Sequence, residues 1–508
     1  MSETEQRSDA GTRALVMGLG RFGGGLGATR HLLARGMDVT VTDLAPAETL
    51  EDSLAALTDV ERTAITWRLG EHVPEDFDRT ELLVVNQAVP PSNAYVERAR
   101  AAGARVTTEL ELFLEAGPAT LVLVTGTQGK SSTATLIAGL AEAAGAFRRV
   151  HLGGNIGRSL LDALDEMTAD DLAVVEVSSY QLEHLTGPAG GAGPAGTEPS
   201  VGRGAAVVVI TNLLEDHLAR HGSLSAYHDA KLRLFELLAP GGRAIVPAEV
   251  QADPGSAETV RAPWAGAGPA LEGEARTFLA RVDLLPPPEQ VWTHGAAPAD
   301  LTLAARGGGQ EGDELAFCYA DRPLAPCAAL ALAGTFQRSN ALCALGAGLA
   351  LGLDAGRMAD ALPGIAGPPH RAQELGRFGA APWRVVDNGV STTPDSTLSI
   401  LAELEAPVAL LVGGRSKGQD LTALTAAAAK RCARILCFGE AADELAAALA
   451  GAAPTLTTHP TVEAAVTAAF ATMAPDETLL FSPACSSFDA YNNFQERAHA
   501  FRAALPPA

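Results

Sequence analysis

The segment Val122-Leu-Val-Thr-Gly-Thr-Gln-Gly-Lys-Ser-Ser-Thr133 decides how this chain is read. An aliphatic run gives way to Gly126-Thr127-Gln128-Gly129-Lys130-Ser131-Ser132, and then to "TATLIAGLAEAAG", whose apolar residues recur at helical spacing. Strand, glycine loop and helix in that order make an anion site. Glycines let backbone N–H groups close on phosphate oxygens, and the helix N-terminus adds partial positive charge. Lys130 supplies a point charge near the β- and γ-phosphates, and Ser131 or Ser132 is suited to ligate Mg²⁺. Only two residues separate the glycines, so the loop is shorter than GxxxxGK[ST], and a chance GxxGKS match is the bland alternative. The strand before it and the helix after it favour ATP.

A second glycine loop lies upstream, Gly18-Leu19-Gly20-Arg21-Phe22-Gly23, after the short strand pattern "RALVMGLG". The next strand pattern, "MDVTVTDL", ends on Asp43, about 20 residues on, which completes a βαβ unit. Alone this would suggest NAD, with Asp43 on the ribose. The signal is weak, because such a turn also takes other diphosphates, UDP included, or merely packs a helix on a sheet.

Further along, "DLAVVEVSSYQLE" and "AAVVVITNLLEDH" read as near-continuous apolar strands of a parallel sheet covered on both faces. Glu176, at a strand end beside the phosphate loop, is a natural Mg²⁺ ligand, against the reading of a solvated strand end. Ser178, Ser179 and Gln181 lie on the same edge, and Asn212, Asp216 and His217 follow the next strand. Lys231, in "AYHDAKLRLFELL", reads by itself as an exposed helix lysine. Arg371, Lys417 on its glycine-flanked loop, and Ser487 in a strand-to-helix turn are weak candidates for binding anions.

The pattern predicts three α/β domains: a Rossmann-like domain over 1–117, a central phosphate-loop domain with a parallel sheet over 118–368, and a C-terminal Rossmann-like domain over 369–508. At 508 residues the chain is too long for one core. Hydrophobic residues make up 47% and charged residues 19%, which marks a globular protein. A net charge of −23 leaves no basic surplus for nucleic acid. No apolar run reaches the roughly 18 residues of a membrane span, the N-terminus lacks an apolar targeting region, and six cysteines without regular spacing suit a reducing cytoplasm.

Taken together and in order, "TGTQGKSST", "GGNIG", "EVSSYQLE", "TNLLEDH", "YHDAKLRLF", "SNALCALG", "HR", "VGGRSKGQDL" and "SPACSSFDAYNNFQERAHAF" resemble the Mur ligases of peptidoglycan synthesis. The last two motifs and the first glycine loop look most like the branch that adds glutamate to UDP-N-acetylmuramoyl-L-alanine. The resemblance implies that Arg21, Phe22 and Asp43 hold the UDP part of that substrate, with Asn155, Ser178 and Gln181 as further substrate contacts. It implies ATP on Gly126 to Ser132, with Asn340, Arg371 and Asn388 as nucleotide contacts. Two Mg²⁺ ions would be held by Ser131, Glu176, His217 and a carbamylated Lys231, and glutamate by Thr392, Lys417, Ser487 and Phe494. The implied chemistry is an acyl phosphate captured by the glutamate amine, with Lys130, Glu176, His217 and Lys231 as the catalytic set.

The chain departs from the D-glutamate pattern at Asp387-Asn-Gly-Val-Ser-Thr-Thr-Pro394, where the usual loop resembles Asn-Asp-Ser-Lys-Ala-Thr-Asn. Val390 replaces a lysine near a dicarboxylate substrate, which changes how that substrate is held. The "STTP" form resembles a bacterial branch that adds L-glutamate and works with a separate epimerase, so L-glutamate is expected here and D-glutamate is the alternative. A monomer without membrane attachment is also expected. Competing readings are a folylpolyglutamate synthetase, an NAD-dependent oxidoreductase and a non-catalytic UDP-sugar-binding regulator. The N-terminal glycine-loop domain speaks against the first. Lys130, Glu176, His217 and Lys231 speak against the other two.

Overall fold

The computed structural model describes residues 9–20, 24–156, 159–185, 204–214, 216–248, 290–295, 299–306, 314–332, 335–416 and 418–507. Within them the chain forms three sheets, each flanked by helices.

The first sheet comprises β1 (Arg13–Met17), β2 (Asp38–Asp43), β3 (Thr66–Leu69), β4 (Leu82–Val85) and β5 (Arg105–Thr107), in the order β3-β2-β1-β4-β5. All four pairings are parallel. The order reverses between β1 and β4, and ligands of such sheets sit in the crevice at the carboxyl ends of the strands flanking that reversal. Both glycines of the first turn that lie in this crevice, Gly18 and Gly20, have positive φ.

The second sheet holds β6 (Thr120–Thr125), β7 (Val150–Gly154), β8 (Leu172–Glu176), β9 (Ala205–Ile210), β10 (Leu238–Pro247), β11 (Val291–Gly295), β12 (Leu301–Arg306), β13 (Glu314–Tyr319) and β14 (Arg322–Pro326). Its order is β14-β13-β12-β11-β10-β9-β6-β8-β7. β6 thus lies between β8 and β9, and its four residues Leu121–Val124 are buried. That burial on both faces is why the sequence runs apolar there without alternation. Only the β12–β13 and β13–β14 pairings are antiparallel.

One apolar cluster joins these two sheets. It includes Val16 and Val41 of the first and Leu123, Val175 and Ile210 of the second. Helix α1 (Gly24–Ala34) and helix α2 (Glu109–Ala116) contribute Leu32, Leu112 and Phe113 to it. By contact density the chain divides into two compact units, Met1–Ala329 with Ser339–Ile365, and Leu330–Arg338 with Ala366–Ala508.

The second unit is built on β15 (Gln373–Phe378), β16 (Trp383–Asp387), β17 (Val408–Gly413), β18 (Cys432–Phe438), β19 (Thr455–His459) and β20 (Thr478–Ala484), in the order β15-β16-β20-β17-β18-β19. β15 is an antiparallel edge strand and the remainder are parallel. Separate apolar clusters cover its faces, one carrying the stack of Phe481 on Phe501 at 4.2 Å between ring centres. Among the described residues, no helix is long and apolar enough to cross a membrane.

Candidate active site

The phosphate loop joins β6 to helix α3 (Lys130–Ala144). Gly126 (φ 147°) and Gly129 (φ 81°) adopt backbone angles that side chains disfavour. A Cβ at Gly126 would drive into Thr211 Oγ1, and one at Gly129 into Asn340 Oδ1. The loop is therefore cast against its neighbours, and Asn340, an expected nucleotide contact, lies against its last glycine. The backbone N–H groups of Thr127 and Gln128 donate to Asn212 O (3.0 Å) and Asn212 Oδ1 (2.9 Å). Tyr227 Oη donates to Thr127 Oγ1 at 3.3 Å. Ser131 and Ser132 are buried at the start of α3.

Two lysines converge on this loop. Lys130 Nζ donates to the carbonyls of Gly126 (3.1 Å) and Thr127 (2.9 Å), and Lys231 Nζ donates to the carbonyl of Gly126 (2.7 Å). Lys231 sits on helix α4 (Leu224–Leu232) and is 1% exposed, so the reading of an exposed helix lysine is overturned. Burial, and then the charge of Lys130, hold its amine well below the usual lysine range, against the opposing pull of Asp216 and Glu176.

Glu176 ends β8 and is 2% exposed. Its Oε1 accepts from Asn155 Nδ2 at 3.0 Å, and its Oε2 is buried with no hydrogen-bond partner among the described residues. An orphaned carboxylate oxygen calls for a cation or donor, since unsatisfied burial costs free energy. His217 takes a left-handed backbone (φ 53°) that turns the chain into the next short helix, and its ring meets Tyr180 Oη at 3.3 Å. Burial lowers the His217 pKa and Lys130 and Lys231 lower it further, while Asp216 raises it. Lys130, Lys231, Glu176, Asp216 and His217 thus share one electrostatic neighbourhood. Among the described residues no trio of His, Cys, Asp or Glu forms a cage for a metal. The Ser131 hydroxyl and the Glu176 carboxylate are oxygen donors of the kind Mg²⁺ takes beside waters and phosphate oxygens, whereas the His217 imidazole is a donor it favours less.

The first sheet presents its own edge to this region. Asp43 spends both carboxylate oxygens on backbone, accepting from Gly20 N (3.2 Å) and Ala45 N (2.9 Å). It braces the glycine turn. Arg21 and Phe22 lie outside the described residues, as does Lys417 in the second unit. Against the same glycine turn, at Asn86, the loop after β4 connects to the central sheet. Gln87 Nε2 donates to Asn155 Oδ1 (3.2 Å), and Ser178 Oγ donates to Gln87 Oε1 (2.8 Å). Arg220, itself paired with Glu183, donates to the carbonyls of Gln87, Ala88 and Val89. His184 Nε2 lies 2.7 Å from the Val89 carbonyl, and burial takes its pKa down to about 4, so it donates as a neutral ring. Gln181 is buried and closes a capping box with Ser178. No local pattern assigns a role to Gln87, Arg220 or Tyr227, although Tyr227 opens the motif "YHDAKLRLF".

In the second unit Asp387 is fully buried and accepts from His370 Nδ1 and Arg502 Nε, each at 2.7 Å. Asn388 donates to Ser482 Oγ (3.0 Å) and accepts from Ala372 N (3.2 Å). The exchanged Asp-Asn pair thus serves two buried networks. Arg497 is wholly buried and donates to the carbonyls of Gly389, Ser391, Gly413 and Cys485. It fastens the loops that carry Thr392 and Ser487. Ser487 is buried, Thr392 and Arg371 are half-buried, and Phe494 opens helix α5 (Phe494–Ala503).

Comparison with known proteins extends these observations. Residues 124–262 match the Mur ligase middle domain, and residues 370–485 match the glutamate ligase domain of Mur ligases. The UDP-N-acetylmuramoylalanine--D-glutamate ligase of Roseiflexus sp. (strain RS-1) is 32% identical over 97% of this chain and 98% of its own. The protein of that name from Geotalea uraniireducens (strain Rf4) is 31% identical, covering 96% of each chain. Two solved structures share the fold at low identity. UDP-N-acetylmuramate-alanine ligase of Thermotoga maritima has a TM-score of 0.55 at 16% identity over 97% of this chain and 98% of its own. The MurF ligase of the same organism, solved with ADP, has a TM-score of 0.52 at 13% identity over 98% of this chain and 95% of its own. The L-glutamate expectation finds no support in the relatives' names, and D-glutamate fits them better.

Proposed function

The chain belongs to the Mur ligase family of ATP-dependent, amide-forming ligases, and on that premise we propose that it joins D-glutamate to UDP-N-acetylmuramoyl-L-alanine. The observation that carries the reading is similarity along nearly the whole chain to two ligases of that name, with the phosphate loop formed at Gly126 to Ser132. The functional division follows the expected domains: 1–117 for the UDP part, 118–368 for ATP and chemistry, 369–508 for glutamate. The setting is the cytoplasm, as a monomer.

A carboxylate is a poor acyl donor at neutral pH. Phosphoryl transfer from ATP turns the L-alanyl carboxylate into an acyl phosphate with release of ADP. The glutamate amine then attacks the acyl carbon, and phosphate leaves with the oxygen. Backbone N–H groups at the start of α3 and the Lys130 ammonium would cradle the transferring phosphoryl group, where positioning and charge stabilisation are the main tasks. The seat of Lys130 Nζ on the carbonyls of Gly126 and Thr127 supports that role. Glu176 Oε2, Ser131 and His217 would hold Mg²⁺, which when bound neutralises charge on the phosphate oxygens. Lys231 suits carbamylation, because a lysine with a lowered pKa presents the neutral amine that adds to CO2, and the product carbamate would be a second anionic ligand beside Glu176. Asn155, Ser178 and Gln181 would orient the substrate's alanyl end, Asn340, Arg371 and Asn388 the nucleotide, and Thr392, Lys417, Ser487 and Phe494 the amino acid.

The Asp387–Pro394 loop favours a second reading, L-glutamate with a partner epimerase, because Val390 stands where a lysine is usual. Phosphate release from ATP, UDP-N-acetylmuramoyl-L-alanine and each glutamate enantiomer separates the two. Turnover confined to the D-form supports the proposal, and turnover confined to the L-form replaces it with the second reading.

A further inference from the structure

We infer that Gln87 is a positioning residue for this reaction: it sets which way the Asn155 amide faces and, through Asn155, holds one oxygen of Glu176. The inference rests on the reading of Glu176 as a carboxylate that holds a cation.

The direction of the hydrogen bonds carries the argument. An ionised carboxylate only accepts, so Glu176 Oε1 must be met by Asn155 Nδ2, at 3.0 Å. That turns Asn155 Oδ1 toward Gln87, whose Nε2 donates to it at 3.2 Å. Gln87 Oε1 is then left for a donor, and the Ser178 hydroxyl supplies one at 2.8 Å. Ser178, Gln87, Asn155 and Glu176 form a chain in which every proton points the same way. Reversing any amide would place two acceptors against each other.

The chain is anchored where it begins. Gln87 belongs to the first sheet's loop, whose three carbonyls from Gln87 to Val89 accept from Arg220, with His184 on the last of them. Asn86 ties the loop back to β1, donating from its backbone to Met17 O at 3.0 Å, and accepts from Ala88 N at 3.0 Å. The Asn155 backbone donates to Glu176 O at 2.9 Å, which fixes the main chain but not the amide. Asn155 is itself exposed, so without Gln87 its side chain would turn to water. With Oε1 occupied, Glu176 offers Oε2, the buried atom without a partner among the described residues. Gln87 thus reaches from the substrate-holding part of the chain to the cation-holding one.

The test uses the full-length protein and calorimetric titration with a non-hydrolysable ATP analogue across Mg²⁺ concentrations. Gln87→Met keeps the side-chain length and removes donor and acceptor. The half-saturating Mg²⁺ concentration should rise threefold to tenfold, with kcat reduced and KM for glutamate unchanged. Gln87→Glu keeps the acceptor for Ser178 but draws Asn155 Nδ2 away from Glu176, and should be at least as impaired. In an Asn155→Ala background, Gln87→Met should change the Mg²⁺ requirement less than twofold, because the two act in series. A wild-type Mg²⁺ requirement in both Gln87 variants, or an undiminished effect of Gln87→Met without Asn155, overturns the inference while leaving the ligase reading intact. Absence of Mg²⁺-dependent analogue binding in the wild-type protein overturns both.

Discussion

Lys231 donates to a neutral carbonyl, is buried, and has a second lysine beside it. Such a group costs stability, since burial of charge is repaid only by close opposite charge. Its folded pKa lies below its unfolded value, so the unfolded chain binds the extra proton between the two. Stability therefore rises with pH across that window, and below it the cost is constant. We predict that Lys231→Met raises the melting temperature at pH 7 in CO2-free buffer, where the amine is unmodified, and lowers ligase turnover at least a hundredfold. A loss of both would show that the lysine is structural. Glu109 has the opposite sign. Burial lifts its carboxyl to about 7, with the Ser159 hydrogen bond opposing and Asp162 adding. The native state holds the proton between 4.5 and about 7, so stability falls as pH climbs through that range. Glu109→Gln should raise the melting temperature more at pH 8 than at pH 5, and an equal change at both would contradict the assignment. Lys130 and Glu176 were legible in the sequence because their meaning is local, a loop between strand and helix and a strand end. Lys231 stood out only through the family resemblance, and Gln87 had no local signal at all. Their roles come from long-range packing, which turned a nominally exposed helix lysine inward and set a loop glutamine between two residues of another sheet.

At the scale of elements, the phosphate loop is the most constrained piece of backbone. Gly129→Ala would need a left-handed alanine and a displaced Asn340. We expect it to weaken binding of an ATP analogue at least tenfold, measured by calorimetry, whereas Gly364→Ala, with open space around it and no left-handed backbone, should bind as wild type. His294 in β11 is buried, and burial takes its pKa down to about 4 despite its hydrogen bond to the Ile210 carbonyl. Its stabilising neutrality is complete above pH 6.5 and is lost as pH falls toward 4. The loss is on the order of 3 kcal/mol. His294→Gln should flatten the fall of the urea midpoint between those pH values, and an unchanged slope would refute this. The apolar runs that became β6, β8, β9 and β17 could be recognised as strands from composition. Their order could not, because placing β6 between β8 and β9, or β20 between β16 and β17, depends on pairing over long sequence separations.

On the scale of the whole molecule, the chain carries two glycine loops, Gly18 to Gly23 and Gly126 to Ser132. They belong to different sheets that share an apolar cluster, and Arg220 and Gln87 join the loop beside the first to the edge beside the second. Arg220→Met should therefore raise KM for the UDP-linked substrate more than it lowers kcat, with KM for ATP little changed. An equal effect on all three would mark a general loss of structure. The proposed reaction is tested most directly by phosphate release with ATP, Mg²⁺, UDP-N-acetylmuramoyl-L-alanine and D-glutamate, omitting each in turn. Release is expected only when all four are present. Release without the amino acid, or none with D-glutamate, would overturn the proposal.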